Sequence, residues 1–376
     1  MIKAYKYKIK PNKEQKFLLS QFFGCTRFIY NWGLEKKTSA YKTDGSSLTY
    51  MHLAKELTNL KKEKDFEWLN TCTNEGLQQS LRNLETAFTA FFRKKAKYPN
   101  FKSKHKSRDS IKFINSVRFD FEKWKVKLPK LGWVKLCKNR VWNQATHKQG
   151  TVIVSRDKCG TYWLSVIVDN QQPNEKKKVI KSESAVGIDL GIKDYAILSD
   201  GTKYGNPKYL RRTQKLLAHW QKNFARTKHG SNRHERARLR VAKCYRNITN
   251  QRIDFLQKLS TDLVRNYDTI CLEDLNVKGM EQNHHLARAI GDAAWGEFVR
   301  ELTYKSEWNG KNIVFIGRFE PSSKLCHNCG YINTELQLKD REWVCPKCGT
   351  KLDRDVNAAM NIKKIALEKQ NLIGVE

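Results

Sequence analysis

Val186-Gly187-Ile188-Asp189-Leu190-Gly191 is an apolar run of strand length that carries one carboxylate, Asp189, near its end. A charge on so apolar a strand is costly unless something neutralises it. The pattern recurs in Ile270-Cys271-Leu272-Glu273-Asp274-Leu275, where Glu273 directly follows a buried-type strand. Around these two runs lie a short apolar strand from Tyr195 to Leu198, a long basic helical region from Leu210 to about Asn266, a helix through Trp295, Phe298 and Leu302, and the strand Ile313-Val314-Phe315-Ile316. Two hairpin-joined strands followed by helix, strand, helix and strand predict an RNase H-like α/β sheet.

A third carboxylate, Asp355, opens the last helix in Asp353-Arg354-Asp355-Val356-Asn357-Ala358-Ala359. Acidic residues at the ends of apolar elements call for a cation, and magnesium, which takes hard oxygen ligands and keeps waters for chemistry, fits that need. Two such ions about 4 Å apart would hold a scissile phosphate, one activating a water for in-line attack and the other stabilising the leaving oxygen. Asp189 is expected to bridge both ions, with Glu273 and Asp355 each holding the pair from one side. The plainer alternative is local: Asp355 is a natural helix N-cap, and Asp189 could stabilise a turn.

Cys326-x2-Cys329 and Cys345-x2-Cys348, fifteen residues apart, have the spacing of a zinc ribbon, four thiolates completing a tetrahedron around one structural zinc. The other six cysteines (Cys25, Cys72, Cys137, Cys159, Cys244, Cys271) are scattered singly and read as reduced thiols. Disulfides are disfavoured by that composition. The ribbon lies just before Asp355, where it would shape access for a nucleic acid.

The 376 residues suit two or three domains. Against 72 Lys plus Arg stand 38 Asp plus Glu, a net charge of +34, and self-repulsion of that size implies a polyanionic partner. No apolar run reaches the roughly 18–20 residues that cross a bilayer, and the start lacks a signal peptide's apolar stretch, so a cytoplasmic protein is expected.

Ile2 to Ile9 alternates apolar and basic residues as a half-buried strand does, and Pro11-Asn12 stops it. Helical spacing follows through Phe17, Leu18 and Phe22, then Phe28, Ile29 and Trp32. A further helix carries Leu77, Leu81, Leu84, Phe88 and Phe91 on one face, with Gln78, Gln79, Arg82 and Asn83 turned elsewhere and suited to base edges. Strands resume after Tyr98-Pro99, at 111–113, 126–128, 151–154 and 162–168, as an antiparallel barrel or sheet that the first strand is expected to join. The boundaries are placed at 1–12 and 100–172 for the β domain, 13–99 for its helical insertion, 173–183 for a polar linker, 184–320 and 351–376 for the nuclease-like domain and 321–350 for the zinc segment. Between Arg211 and Arg252 stand thirteen Lys or Arg and one acid, Glu235. Arg226, Arg233, Arg236, Arg240 and Lys243 are read as one broad face for tracking phosphates.

With these residues assembled, the chain resembles the TnpB proteins encoded by insertion sequences, relatives of the type V CRISPR effector nucleases. The resemblance spans nearly the whole chain. It runs through Tyr5 to Pro11, Arg27 to Trp32, Leu77 to Leu84, Ala87-Phe88, Phe91-Phe92, Tyr98 to Lys102, Gly187 to Gly191, Glu273 to Met280, the cysteine pairs and Arg354 to Ile362. It implies a wedge domain with a helical recognition insertion, then a RuvC-type nuclease with Asp189, Glu273 and Asp355 as catalytic triad and Asp353 as a neighbour. It also implies a guide RNA, one per monomer, a short motif read beside the target, and cleavage of double-stranded DNA, with pairing supplying most of the sequence recognition. Ser322-Ser323-Lys324 departs from the Thr-Ser-Gln or Thr-Ser-Lys of many relatives and is expected to touch no ligand. Nuclease-inactive guided DNA-binding regulators and unguided transposase-type proteins are the alternatives, as is a zinc-ribbon transcription factor using a helix-turn-helix.

Overall fold

The first strand, β1 (Ile2–Lys10), buries Tyr7 and Ile9 and exposes Lys6, Lys8 and Lys10, the period of two that its sequence carries. Asn12 then starts α1 (Lys13–Asp44) by a reciprocal cap, its side chain accepting from Gln15 N at 2.8 Å while Gln15 Oε1 accepts from Asn12 N at 3.0 Å. Helix α1 is continuous for 32 residues and stops at Gly45, whose φ of 69° is the left-handed cap. Next come α2 (Tyr50–Leu60), a 3-10 turn (Lys64–Thr71) and α3 (Asn74–Phe92). At Gly33 of α1 an added Cβ would lie 2.9 Å from a methyl of Leu81, so α1 and α3 pack closely there. The structure, a computed structural model, describes residues 1–104, 106–318, 320–337 and 340–373, with side chains through 370.

Six strands follow: β2 (Asp109–Phe113), β3 (Arg118–Asp120), β4 (Lys125–Leu128), β5 (Gly132–Leu136), β6 (Lys148–Arg156) and β7 (Tyr162–Asp169). Together with β1 they form an antiparallel seven-stranded sheet in the order β2-β6-β7-β1-β5-β4-β3. The first strand does join the later set, from Ile2↔Asp169 to Ile9↔Tyr162 on one side and at Ile9↔Leu136 on the other. Helix and sheet share one core, Leu77 and Leu81 lying in the same cluster as Ile111 and Phe113. Asp109 pins them at the rim, paired with Arg27 of α1 at 2.5 Å and Arg156 of β6 at 2.6 Å. These elements make up one compact unit, Met1–Gln172, and the second is Pro173–Glu376.

The second unit opens with β8 (Ala185–Leu190), β9 (Asp194–Leu198) and β10 (Lys203–Gly205). β10 adds a third antiparallel strand to the expected hairpin. The basic helical region is two helices, α4 (Tyr209–Arg226) and α5 (Asn232–Asn266), packed on each other. The break is local: Gly230 has φ 81°, and Ser231 caps α5 by accepting from His234 N at 3.1 Å. After these come β11 (Thr269–Glu273), α6 (Val277–Met280), α7 (Ala287–Ala293), α8 (Trp295–Trp308), β12 (Asn312–Ile316), β13 (Glu342–Val344), β14 (Lys351–Asp353) and α9 (Arg354–Ile373). The sheet order is β10-β9-β8-β11-β12, with β8, β11 and β12 parallel. Val186 and Ile188 face Leu256, Leu259 and Leu263 of α5 and Phe298 and Leu302 of α8. The opposite face carries Cys271, Val314 and Ile316 against Ile362 and Ala366 of α9.

Candidate active site and metal centre

Alternation along β8 places Gly187 and Asp189 on the α9 face, and along β11 it places Cys271 and Glu273 there. The parallel ladder pairs Cys271 with Gly187 and Leu272 with Ile188, so Glu273 comes level with Asp189 at the carboxyl ends of neighbouring strands. Gly187 brings the third carboxylate in. A Cβ there would lie 2.0 Å from the carbonyl oxygen of Ala359, so α9 crosses β8 in backbone contact one turn beyond Asp355. Glu273 and Asp355 are thereby brought near enough to Asp189 to act on its charge, although Glu273 does not line the cavity that Asp189 and Asp355 share. Burial first, then the charges of Glu273 and Asp355, push the Asp189 carboxyl up to about 7.

Asp355 is not the helix cap. Asp353 does that work, its Oδ1 accepting from the backbone N–H of both Asp355 and Val356 at 3.0 Å, which leaves the Asp355 carboxylate for other partners. Those partners are Arg354, with Nη2 3.0 Å from Oδ1, and Arg341, with Nη1 3.2 Å from Oδ2. Asp189 and Asp355 line a cavity of about 270 Å³ with Lys193, Trp295, Ser323 and Arg341. Trp295 is 2% exposed, and its indole N–H has no acceptor among the described residues. The Ser322 segment is expected to touch no ligand; the Ser322 hydroxyl donates to Oε1 of Glu273, one of the carboxylates expected to hold metal. Hard oxygen donors, and a carboxyl whose ionisation is opposed by burial and then by neighbouring charge, are what a divalent cation would relieve, while Arg341 and Arg354 already offset the charge of Asp355.

The four cysteine sulfurs lie within 4.8 Å of one another, with Cys326 to Cys348 at 3.7 Å and Cys329 to Cys345 at 3.5 Å. Bonds of about 2.3 Å to a tetrahedral zinc put sulfurs about 3.8 Å apart, whereas a disulfide needs about 2.05 Å. The two knuckles repeat one geometry. Cys326 O accepts from Gly330 N at 2.9 Å and Cys345 O from Gly349 N at 2.9 Å, and both glycines are left-handed, with φ of 73° and 69°. The Thr350 hydroxyl and backbone hold the Cys348 thiol well below its usual range, which favours the ligating thiolate.

Two residues that the sequence reading missed tie this module to the acidic site. Asn357 and Asn361, one turn apart on α9 and 1% and 0% exposed, both donate to Leu325 O, at 2.7 and 2.6 Å. Asn361 also donates to Ser322 O at 2.8 Å, and Asn357 Oδ1 accepts from His327 N at 2.9 Å. Two asparagines spaced i, i+4 among the apolar residues of one helix were the available signal.

The residues assigned to nucleic acid divide. Arg233, Arg236, Arg240 and Lys243 are exposed along α5, but Arg226 ends α4, so the basic face belongs to a helical hairpin rather than to one helix. Arg240 stacks its guanidinium on Trp220 of α4 at 4.9 Å. On α3, Gln78 and Asn83 are exposed, while Gln79 is 4% exposed, against the expectation that all four polar residues turn outward. Gln79 is buried because it follows Leu77 by two positions on a helix that packs on both α1 and β2. Gln79 and Asn83 instead line a cavity of about 230 Å³ with Arg27, Lys102 and Arg108. Arg82 lies over the ring of Tyr50 at 4.5 Å.

Residues 165–284 match the family described as "Probable transposase", residues 295–362 a "Cas12f1-like, TNB domain" and residues 1–46 a helix-turn-helix domain. A Streptomyces pristinaespiralis protein named "Putative RNA-guided DNA endonuclease" is 40% identical over 363 residues, 96% of this chain and 88% of its own length. The chain belongs to the TnpB family. The Escherichia coli K12 relative InsQ, under the same designation, is 30% identical over 376 residues, 96% of this chain and 91% of its own. Two solved structures share the fold. A Cas12f1–sgRNA–target DNA complex superposes with TM-score 0.58 at 13% identity, covering 96% of this chain and 98% of that one. The mini-RNA-guided endonuclease CRISPR-Cas_phi3 superposes with TM-score 0.56 at 8% identity, covering 98% and 92%. The stretch matched to the helix-turn-helix domain folds here as β1 and the unbroken α1. No helix among the described residues is long and apolar enough to cross a membrane.

Proposed function

We propose that the chain is an RNA-guided DNA endonuclease of a transposable element, cutting double-stranded DNA beside a short adjacent motif by hydrolysis of a phosphodiester. The observation that carries this reading is the convergence of Asp189, Glu273 and Asp355 from two parallel strand ends and a helix start, in a chain of net charge +34. Two magnesium ions held by these carboxylates would supply Lewis acidity and an activated water. The chain's own residues prepare that chemistry. The Asp189 carboxyl must lose its proton to serve as a ligand, Ser322 fixes one oxygen of Glu273, and Asp353 spares Asp355 from capping. Arg341, Arg354 and Lys193 line the same cavity and attract a phosphate backbone, while Trp295 walls it with an apolar ring.

The order β10-β9-β8-β11-β12, with helices on both faces, supports reading 184–320 and 351–376 as an RNase H-like, RuvC-type nuclease and 321–350 as a zinc ribbon that meets the target strand. Residues 1–12 and 100–172 are then a wedge domain, 13–99 its recognition insertion and 173–183 a linker. One guide RNA per monomer in the cell interior completes the assembly, in keeping with the names of the relatives. Reading of the adjacent motif is assigned to the exposed Gln78, Arg82 and Asn83 of α3, with Gln79 lining the cavity of the first unit beside Asn83.

The test is purification with co-expressed flanking RNA, sequencing of that RNA and challenge with a duplex matching a reprogrammed guide. Cutting should follow the guide, and Asp189→Asn, Glu273→Gln and Asp355→Asn should each abolish cutting while guided binding persists. Guided binding without cutting by the unaltered chain would make it a regulator. Cutting that ignores the RNA would make it an unguided transposase-type enzyme.

A further inference from the structure

Between Glu85 and Asp109 the sequence carries no acidic residue, eight lysines and arginines, and five aromatic residues: Phe88, Phe91, Phe92, Tyr98 and Phe101. Three of those rings face water, with Phe92 72%, Phe101 63% and Tyr98 43% exposed. The surface is held in shape. Tyr98 meets Phe88 and Phe91 edge-on at 5.6 and 5.3 Å and shares a hydrogen bond with the Thr38 hydroxyl at 2.9 Å. Phe92 stacks on Phe88 at 6.2 Å, and Asn31 clamps the backbone beside Phe101, donating to Lys102 O at 2.9 Å and accepting from Lys102 N at 2.7 Å. Where α3 stops, Lys94 sits at φ 55°, a conformation that glycine adopts without strain, so a cationic side chain is kept at some cost.

Scattered exposed rings are ordinary, but three within ten residues at the end of α3 and the anchored segment after it, among cations and no acid, are a surface in search of a partner. Apolar ring faces match nucleobase faces, and the lysines match the phosphates between them. A duplex hides its base faces, so the occupant has unpaired bases. The geometry points to a stacking platform, Phe92, Tyr98 and Phe101, that binds an unpaired segment of the guide RNA. The occupant is RNA rather than displaced DNA because the rings are presented without any target, and only a constitutive partner keeps them from water throughout the protein's life. This rests on the RNA-guided reading above.

The experiment uses the full chain co-purified with its RNA and reads 2′-hydroxyl acylation along that RNA. In Phe92→Ala/Phe101→Ala, a short unpaired run should become about threefold or more reactive. RNA affinity should fall roughly 5-fold to 150-fold per lost stack, with the salt dependence unchanged because no charge is removed. Phe92→Trp/Phe101→Trp should restore both protection and affinity, which a packing defect would not allow. Identical footprints for wild type and the double alanine variant overturn the platform, and so does a uniform rise in reactivity along the whole RNA. Unchanged RNA reactivity with new permanganate reactivity in the displaced DNA strand overturns the choice of occupant. If no RNA co-purifies with the wild type, the guided reading itself fails, and this inference with it.

Discussion

Asp189 sets the pH behaviour of the acidic site. Its carboxyl ordinarily ionises near 3.9 and is pushed up to about 7 here, so in the metal-free fold its ionisation is opposed. The sign follows: from about pH 4 towards 7 the metal-free second unit should lose stability, because the Asp189 carboxyl ionises in the unfolded chain while the fold keeps it protonated, and the loss levels off above 7. A divalent cation reverses this by favouring the carboxylate. Magnesium affinity should therefore rise up to about tenfold per pH unit below 7, with release of close to one proton, and flatten above it. Calorimetry in buffers of different ionisation enthalpy measures both quantities, and an affinity constant from pH 5 to 8 would refute the assignment. Ser322 gives a second test at this scale. Ser322→Ala removes the donor to Glu273 and should lower the cutting rate with guided binding kept, whereas Ser322→Thr retains a hydroxyl and should restore the rate. Gly187→Ala is the harshest single change, since its methyl would collide with the backbone of α9. About 3 kcal/mol of the second unit's stability should be lost, visible as a lower melting temperature, and cutting should vanish because Asp355 rides on that helix.

At the scale of elements, the cysteine module hangs on α9. Cys345→Ser should release about one zinc per chain and destabilise the second unit first, which metal analysis and limited proteolysis can follow. Asn357→Ala should mimic part of that loss with all four thiolates intact, by removing the acceptor of His327 N and one of the two donors to Leu325 O, at about 1–3 kcal/mol. Neutralising Arg226, Arg233, Arg236 and Arg240 to Gln should weaken RNA or heteroduplex binding equally for all sequences. The slope of log affinity against log salt should flatten by about 0.7–0.9 per lost phosphate contact. Periodicity made β1, α3, β8, β11 and α9 legible in the sequence because each has one wet and one dry face, or none wet. β3 and β10, of three residues each, are too short to show a period. The break between α4 and α5 was written in Gly230 but overshadowed by continuous basic composition. The meeting of Asp189 with Glu273 depends on strand register, Gln79's burial on packing against α1 and β2, and the Ser322 bond on the path of a loop, none of which a linear pattern encodes.

At the scale of the whole molecule, charge dominates. With +34 to accommodate, the protein made without RNA should be poorly soluble at low salt and bind polyanions indiscriminately, and co-expression with its RNA should correct both. Light scattering at matched concentrations distinguishes the two preparations. The two units, Met1–Gln172 and Pro173–Glu376, have separate apolar clusters, so unfolding need not be a single transition. The seating of β1 in the middle of its sheet bears on synthesis. Ile2 pairs with Asp169, and the terminal amine reaches the same carboxylate at 3.3 Å. The ribosome therefore releases a lone strand with both edges open, and at roughly 5–20 residues per second its partner in β7 follows only after about ten to thirty seconds. Through that interval the nascent chain offers an unsatisfied template to any neighbouring strand, while α1 to α3 can already collapse on one another. A strand made long before its partners is housed late, and the yield of active protein should depend on translation speed and chaperone supply more than on equilibrium stability.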